Sequence, residues 1–377
     1  MVKNKNFTKV VIIGGGYSGT AVARLLDKEF DITLIEKQET FFHNLGALRA
    51  AVEPSWLEKI FIPYDGLLKR GKVLHKLVTE VTPDKVILDS GEIIEFDYLI
   101  LATGSSYSFP GKMSSNDVQG SKKSILGLNE KINAAERVLI VGGGPVGVEF
   151  AGEIISKYPQ KKITLVHTGI RLIGEPFNPK LGQKLLNALR EMGVQVILGE
   201  RVLLNDMKSE DFEKTQTYST DKGKAIEADI LLTCYGAKVN NKYLLNYFSE
   251  KLDQQGRVKV NSHMQVDGYD NIFVVGDLTN IEEPKLGLVS GSHASVVAKN
   301  IEAMSRSKAT GQQKALKTYQ PSQKQLIIVP LGENNGAGQL PLSKSGVVVG
   351  RFLAKQIKGK TLLAPMYWEK MGLKMPK

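Results

Sequence analysis

The chain has 377 residues, of which 42% are hydrophobic, 24% are charged and one is a cysteine, Cys234. A single thiol excludes an intramolecular disulfide, a redox-active dithiol and a cysteine-based metal cluster, and we expect no metal site. No apolar run reaches about 18 residues and the N-terminus lacks a signal-peptide core, so the sequence predicts a soluble protein that is cytoplasmic or peripherally bound to a membrane. The net charge of +11 bears on partners rather than on fold.

The N-terminal segment has the pattern of a dinucleotide-binding βαβ unit. An apolar strand, Lys9–Ile13, runs into a glycine motif and a helix, Thr20–Glu29, and the next strand, Asp31–Ile35, ends in Glu36. Such glycines allow a tight turn, close approach of a pyrophosphate and close helix packing, and the acid accepts hydrogen bonds from a ribose. The predicted nucleotide contacts are Gly14, Gly15, Gly16, Tyr17, Ser18, Gly19, Glu36 and Lys37.

The same pattern returns 128 residues later. Strand Arg137–Val141 precedes a second glycine motif, a helix through Ile155 and a strand, Ile163–Val166, that ends in His167 instead of an acid. Because His167 and the nearby Arg171 do not repel a 2′-phosphate as a glutamate would, this unit is predicted to accept NADPH as well as NADH. The predicted contacts are Gly142, Gly144, Pro145, Val146, Gly147 and His167.

Three further apolar strands end where ligands bind in open α/β sheets, at the carboxyl end of the strand. They are Phe96–Gly104, Ile230–Gly236 and Asn271–Asp277. A helix-cap or turn aspartate is the alternative interpretation of Asp277. The predicted cofactor contacts are Thr103, Gly104, Gly236 and Asp277.

This order of motifs, over residues 9 to about 300, resembles the flavoproteins with two dinucleotide-binding domains. Within that group the chain is similar to the apoptosis-inducing-factor-like proteins of the ferroptosis suppressor type, which are NAD(P)H:quinone oxidoreductases. The segments that carry the resemblance are Phe41–Asn44, Ala47–Glu53, Gly142–Glu149, Asn271–Asp277, Pro284–Lys285, His293–Ala294 and Asn334–Gln339.

The resemblance implies FAD at the first glycine motif, held also by Arg49, by the backbone of Val78 and by Asp277 at the ribityl chain. It implies NADH or NADPH at the second motif, with a hydride passing to the flavin and electrons leaving for an external acceptor. Without a dithiol the acceptor is a quinone, oxygen or an artificial dye, and the resemblance favours a quinone.

Three residues form the predicted catalytic set. The resemblance implies that Glu149 lies near nicotinamide and flavin, although the helix dipole alone also favours a carboxylate near a helix start. Lys285 and His293, at the start of a predicted helix, are candidates to stabilise the reduced flavin. His293 is equally compatible with a packed core histidine.

The last 37 residues carry eight basic residues and one acid. A solvated tail, an anionic membrane surface and a nucleic acid all remain open as interpretations, although we find no recognised DNA-binding motif. Val347–Ile357 and Pro365–Trp368 mix apolar or aromatic residues with cations, as at a membrane interface, but Val347–Val349 also fits the core of a small domain. The start Met1-Val2 differs from the Met-Gly of myristoylated animal members. A homodimer is a further possibility.

The predicted fold class is α/β, with two Rossmann-like domains and a small C-terminal α+β domain. We expect an FAD domain at 1–115 and 256–310, an NAD(P)H domain at 125–255 and a C-terminal domain at 311–377. Lys112–Lys123 is predicted to be a linker and Asp206–Lys224 a surface hairpin or loop.

Overall fold

The structure is a computed structural model that describes residues 7–113, 115–204, 214–323, 325–343 and 345–376. The strands, in chain order, are β1 (Lys9–Ile13), β2 (Asp31–Ile35), β3 (Thr40–Phe42), β4 (Phe61–Pro63), β5 (Lys72–Leu74), β6 (Val78–Val81), β7 (Lys85–Leu88), β8 (Ile93–Glu95), β9 (Tyr98–Leu101), β10 (Ser105–Ser106), β11 (Arg137–Val141), β12 (Lys162–His167), β13 (Gln195–Leu198), β14 (Gln216–Ser219), β15 (Ala225–Ala228), β16 (Ile230–Thr233), β17 (Lys238–Val239), β18 (Ile272–Val274), β19 (Ile327–Leu331), β20 (Asn335–Leu340) and β21 (Val347–Val349). The helices are α1 (Tyr17–Leu26), α2 (Ala47–Ala50), α3 (Leu57–Ile60), α4 (Val118–Ala134), α5 (Pro145–Lys157), α6 (Pro179–Glu191), α7 (Leu245–Phe248), α8 (Gly287–Thr310), α9 (Arg351–Ala354) and α10 (Ala364–Lys370).

The first parallel sheet has the order β18-β9-β1-β2-β5. Its central strands are continuous apolar runs because both faces are covered, and Ile12, Ile32 and Ile100 are fully buried. Helices α1 and α8 pack together on one face. Because β18 follows the strands of the second sheet in sequence, the second unit is inserted between two parts of the first.

The second parallel sheet has the order β13-β12-β11-β16. Its core contains Ile140 and Leu165 from the strands, Phe150 from α5 and Leu185 from α6. Both parallel sheets therefore place a glycine motif between their first strand and the helix that follows it.

The C-terminal part begins with an antiparallel sheet of order β19-β20-β21. It lies directly on α5, because a Cβ at Gly152 would come within 2.5 Å of the Leu331 backbone. A π-helical turn, Lys355–Gly359, follows α9, and α10 then returns to the first unit, where Trp368 Nε1 donates to the Lys59 carbonyl at 3.0 Å. The chain's end thus joins the two dinucleotide-binding units.

Several predicted segments are confirmed, including β1, β2 and β11 with the same ends. The predicted linker Lys112–Lys123 is wrong over its second half, where α4 begins at Val118 and Asp117 caps it by accepting from the Gly120 N–H. The predicted polar hairpin falls partly outside the described residues, and its described part forms β14, which pairs with β15. Within the described residues, every helix is too short or too polar to cross a bilayer.

The membrane-interface interpretation of Pro365–Trp368 is wrong for its two aromatic side chains. Tyr367 and Trp368 are both buried, and the ring of Tyr367 packs on Tyr17 and Phe41 of the first unit. Amphipathic composition does not distinguish a membrane from a protein core as the environment of a ring. Val349 is likewise buried, whereas Val347 is exposed.

Candidate functional site

The two glycine motifs have nearly the same backbone geometry. Gly14 and Gly142 have φ of +104° and +120°, and a Cβ at either would lie 2.5 Å from a carbonyl oxygen of the neighbouring strand. A Cβ at Gly19 or Gly147 would lie 1.8 or 1.9 Å from the carbonyl oxygen of that first glycine. Both loops therefore require glycine for their shape and for the close approach of the helix.

Each loop leaves the start of its helix open. Gly16 and Gly144 are the N-caps of α1 and α5, and in the described part of the chain no side chain forms a capping hydrogen bond at either. A Cβ at either glycine would meet no atom within 4 Å. Free N–H groups at a helix start, with space in front of them, suit the pyrophosphate of a dinucleotide. FAD and a nicotinamide dinucleotide therefore fit these loops.

In the first loop, Gly15 is held from both sides. Its N–H donates to Glu36 Oε2 at 2.5 Å, and its carbonyl accepts from the hydroxyl of Tyr64 at 2.8 Å. Glu36 Oε1 accepts from the N–H of Gln38 at 2.9 Å, which orients the carboxylate at the end of β2, while Lys37 is exposed. The predicted acid thus stands at the glycine loop.

Asp277 lies beside the first glycine loop, and we call the region bounded by this loop, Glu36 and Asp277 the FAD cleft. A Cβ at Gly276, the residue before it, would lie 2.7 Å from the Ser18 hydroxyl, so this turn touches the first glycine loop. Asp277 Oδ2 accepts from the Ser105 hydroxyl at 2.5 Å, just after Thr103 and Gly104. The structure therefore brings these predicted positions together, although they are far apart in sequence.

Lys112 belongs to this cleft and has no motif around it. Burial lowers the pKa of its ammonium group, and the carboxylates of Asp277 and Glu36 act in the opposite direction. The Lys112 ammonium group is therefore near enough to both carboxylates for their charges to act on it. A cation at that place complements the diphosphate of FAD.

Two other predicted FAD contacts lie in different surroundings. Val78 is buried in β6 and pairs with Leu88 of β7. Arg49 is fully buried and makes a two-pronged ion pair with Glu153 of α5, at 3.0 Å from Nε and 2.8 Å from Nη2. The Arg49 guanidinium therefore faces the second unit rather than the first glycine loop.

Glu149 is one turn before Glu153 on α5 and pairs with a lysine from the C-terminal part. Lys358 Nζ donates to Glu149 Oε1 at 2.7 Å and to the Ile328 carbonyl at 3.3 Å. Burial raises the pKa of Glu149, and the charge of Lys358 offsets only part of that rise. Sequence reasoning missed Lys358, because it differs from the other C-terminal lysines in its burial in the folded chain and not in its local sequence.

The segment that carries Lys358 is strained and fixed at several points. It includes the π-helical turn and two consecutive leucines, Leu362 and Leu363, with φ of +48° and +63°. His43 Nε2 donates to the Leu362 carbonyl at 2.8 Å, and Arg49 Nη1 donates to the Lys360 carbonyl at 3.4 Å. Such π-turns and left-handed non-glycine residues are concentrated at functional sites.

His43 also reaches the first glycine motif. Its Nδ1 accepts from the hydroxyl of Tyr17 at 3.1 Å, and burial lowers the pKa of the imidazole to about 4. The aromatic group of Tyr17, Phe41, His43 and Tyr367 therefore connects the glycine loop to the C-terminal segment.

Lys285 and His293 both form hydrogen bonds with backbone groups of the Gly276 turn or of the residues that follow it. Lys285 Nζ donates to the carbonyls of Thr279 and Ile281 at 3.1 and 2.8 Å. His293 is completely buried and accepts from the Gly276 N–H at 3.0 Å. His293 thus contacts the turn itself, and Lys285 contacts the backbone that follows it.

In the second site, His167 is half-buried at the end of β12. A Cβ at Gly143 would lie 2.7 Å from His167 Cγ, so the ring covers the glycine loop. Burial lowers the pKa of His167, which keeps the ring neutral. Arg171 pairs with the exposed Glu175 at 2.5 Å. Gly236, at the end of the neighbouring strand, has φ of +85° and faces open space.

Comparison with known proteins agrees with this geometry. Residues 8–303 match the family described as pyridine nucleotide-disulphide oxidoreductase. The chain belongs to this family. Apoptosis-inducing factor homolog B of Dictyostelium discoideum is 36% identical, over 98% of each chain. Ferroptosis suppressor protein 1 of Taeniopygia guttata is 35% identical, over 98% of this chain and 97% of that one.

Among solved structures, the sulfide:quinone oxidoreductase of Aquifex aeolicus superposes with a TM-score of 0.76 and 19% identity, over 98% of this chain and 93% of that one. This likeness shows that the fold extends through the C-terminal part. As a member of the pyridine nucleotide-disulphide oxidoreductase family, the protein is an FAD-dependent NAD(P)H oxidoreductase. The family's description names a disulphide, but this chain has a single cysteine, Cys234, and cannot form one within the chain. Cys234 is buried, and burial raises the pKa of its thiol to about 12.

Proposed function

We propose that the protein is an NAD(P)H:quinone oxidoreductase. The observation that carries the proposal is the contact of Lys358 with Glu149, by which the C-terminal part meets the helix that follows the second glycine loop. Relatives named ferroptosis suppressor protein and a fold neighbour named sulfide:quinone oxidoreductase support a quinone as the acceptor. The lone buried thiol supports an external acceptor.

In this proposal, residues of the chain bind two cofactors and hold a proton near the acceptor. When bound, FAD would supply the chemistry of hydride transfer from NAD(P)H and of two-electron transfer onward to the acceptor. Gly16, Ser18, Glu36, Lys112 and Asp277 would hold FAD, and the second loop would hold NAD(P)H. Reduction of a quinone by NAD(P)H consumes one further proton, and the Lys358 ammonium, hydrogen-bonded to Glu149, holds a proton at Nζ beside the proposed site.

We also propose that the protein meets the quinone at a membrane surface. Phe352, with 71% of its surface exposed, Leu353 and Ile357 form an apolar patch on α9 and the turn after it. The exposed cations Arg351 and Lys360 flank this patch. Exposed apolar side chains among cations suit an anionic bilayer.

The proposed division into domains follows the chain order given above. The return of β18 to the first sheet supports an FAD domain split into 1–115 and 256–310, with 125–255 inserted. The third sheet and the helices after it support a C-terminal domain at 311–377.

The acceptor is tested with the purified flavin-loaded protein. After anaerobic reduction by NADH, short-chain quinones are expected to reoxidise the protein rapidly, and air without quinone much more slowly. Equal rates, with stoichiometric peroxide, would identify an NAD(P)H oxidase instead. A panel of NADH and NADPH in the same assay gives the cofactor preference.

The surface is tested by flotation with vesicles of phosphatidylcholine and phosphatidylserine. Phe352→Ser with Leu353→Ser is expected to reduce binding several-fold, while Leu245→Ser, at an exposed leucine on α7, leaves it unchanged. Unchanged binding of the double variant would contradict the proposed surface. Duplex DNA, added as a competitor of the anionic vesicles, tests the nucleic-acid alternative. Sedimentation at several protein concentrations tests for a homodimer.

A further inference from the structure

His293 lies fully buried in the second turn of α8 with both ring nitrogens engaged. The Gly276 N–H points at Nδ1 across 3.0 Å, and Glu283 Oε1 lies 2.7 Å from Nε2. A backbone N–H can only donate, so Nδ1 must be the acceptor and carries no proton. Nε2 therefore carries the ring's proton and donates it to Glu283.

Glu283 is placed to select this tautomer. Its side chain is 3% exposed, and its second oxygen accepts from the Tyr319 hydroxyl at 2.6 Å. Burial acts to raise the pKa of Glu283, but the hydrogen bonds from His293 and Tyr319, with the charge of Lys285, bring it below its usual value. The carboxylate is thus ionised and can only accept, which keeps the proton of His293 on Nε2.

The partner of Nδ1 is the turn that faces the flavin cleft. Gly276 adopts φ of +73°, touches Ser18 of the first glycine loop and is followed by Asp277. A donor N–H left unpaired at this buried position would favour another shape of the turn. The ring of Tyr319, edge-on to His293 with 4.5 Å between centroids, closes the other side.

We propose that Tyr319, Glu283 and His293 form a positioning relay for FAD. The relay fixes the tautomer of His293, and through the Gly276 N–H it holds the Gly276–Asp277 turn in the shape that receives the ribityl chain. In this relay the turn makes the contact with FAD, and His293 and Glu283 act through the turn. The inference concerns FAD binding by this family member and is independent of which acceptor the enzyme uses.

A matched pair of variants separates this role from simple packing. Asparagine at 293 places an amide oxygen close to the position of Nδ1 and can accept from Gly276, whereas leucine fills the space without an acceptor. FAD is titrated into the apoprotein of each variant, with quenching of flavin fluorescence as the readout. His293→Leu is expected to weaken FAD binding about tenfold, and His293→Asn no more than about threefold.

Two further measurements keep the inference open to contradiction if His293→Leu folds poorly. Tyr319→Phe removes one hydrogen bond from Glu283 and is expected to weaken FAD binding about threefold, without a change at the second site. In the wild-type apoprotein, ¹⁵N NMR of His293 is expected to show the proton on Nε2, and Glu283→Leu is expected to show a mixture of tautomers.

The relay is wrong if His293 carries its proton on Nδ1, or if the asparagine and leucine variants bind FAD equally. It is also wrong if the thermal midpoint of the apoprotein falls in proportion to FAD affinity in every variant, since this would indicate packing alone. Failure of the quinone assay would leave these binding results unaffected, so the two proposals fail separately.

Discussion

Lys358 Nζ lies 2.7 Å from Glu149 Oε1, although the two residues are 209 positions apart. Their side chains are only 10% and 11% exposed. The pair joins the helix after the second glycine loop, where we propose that the nicotinamide dinucleotide binds, to the strained C-terminal segment. Removal of either partner leaves a buried charge without its counterion.

We therefore expect Lys358→Met to destabilise the protein by about 3 kcal/mol or more, because it isolates the carboxylate of Glu149. The double variant with Glu149→Gln also removes the charge and should recover most of this loss. Urea unfolding at neutral pH, followed by tryptophan fluorescence, measures the difference. If the single and double variants unfold at the same urea concentration, the two residues are not energetically coupled.

The same pair predicts a pH dependence of stability. The pKa of Glu149 is raised in the folded protein, so above the usual glutamate range the folded chain holds a proton that the unfolded chain has lost. This contribution to the unfolding free energy is present below the usual pKa and declines as pH rises toward the raised pKa. Glu149→Gln should flatten the decline, and Lys358→Met should steepen it.

Urea midpoints measured from about pH 4.5 to pH 8 test this slope. Glu130→Gln, at an exposed glutamate on α4, is the matched control and should leave the slope unchanged. The same slope in Glu149→Gln and wild type would show that Glu149 does not titrate abnormally.

Much of this architecture can be predicted from sequence because each glycine motif lies beside the strand and helix that it joins. Lys112 and Lys358 could not be predicted as site residues, since their partners are remote and nothing local distinguishes them from exposed lysines. Likewise, His293 could be predicted as a flavin-stabilising or a packed core histidine, but its contact with the Gly276 N–H and the partners of its ring depend on residues remote in sequence. Local sequence patterns predict helices and strands, while burial and long-range pairing determine the roles of individual side chains.

Lys112 provides a test of the FAD cleft. Lys112→Met keeps the length of the side chain and removes the charge that lies near Asp277 and Glu36. We expect FAD affinity to fall about tenfold, since a charge-assisted contact to the diphosphate is lost. Lys123→Met, at an exposed lysine on α4, should bind FAD as the wild type does. Equal affinity of the Lys112 and Lys123 variants would place Lys112 outside the site.

The roles of the two glycine loops are expected to be distinguished by glycine-to-alanine substitutions, each of which adds one methyl group. Gly19→Ala places a Cβ 1.8 Å from the Gly14 carbonyl and should yield protein without bound flavin, visible as loss of the yellow absorbance. Gly147→Ala places a Cβ 1.9 Å from the Gly142 carbonyl and should retain flavin but lose reduction by NADH. Dithionite is the control reductant, because it bypasses the nucleotide site. Loss of flavin in both variants would instead indicate general misfolding.

The cofactor preference depends on His167, whose neutral ring covers Gly143 at the end of β12. His167→Glu would place a carboxylate where a 2′-phosphate would lie, and repulsion between the two should raise the KM for NADPH about tenfold or more. The KM for NADH should change little, because a carboxylate at this position accepts hydrogen bonds from the free ribose hydroxyls. His167→Gln, which is neutral and of similar size, is the matched control and should preserve the use of both nucleotides. Steady-state rates at low ionic strength give the clearest contrast, since salt screens the repulsion. If His167→Glu uses NADPH as well as the wild type does, the adenosine ribose is bound away from β12 and the second site needs a different assignment.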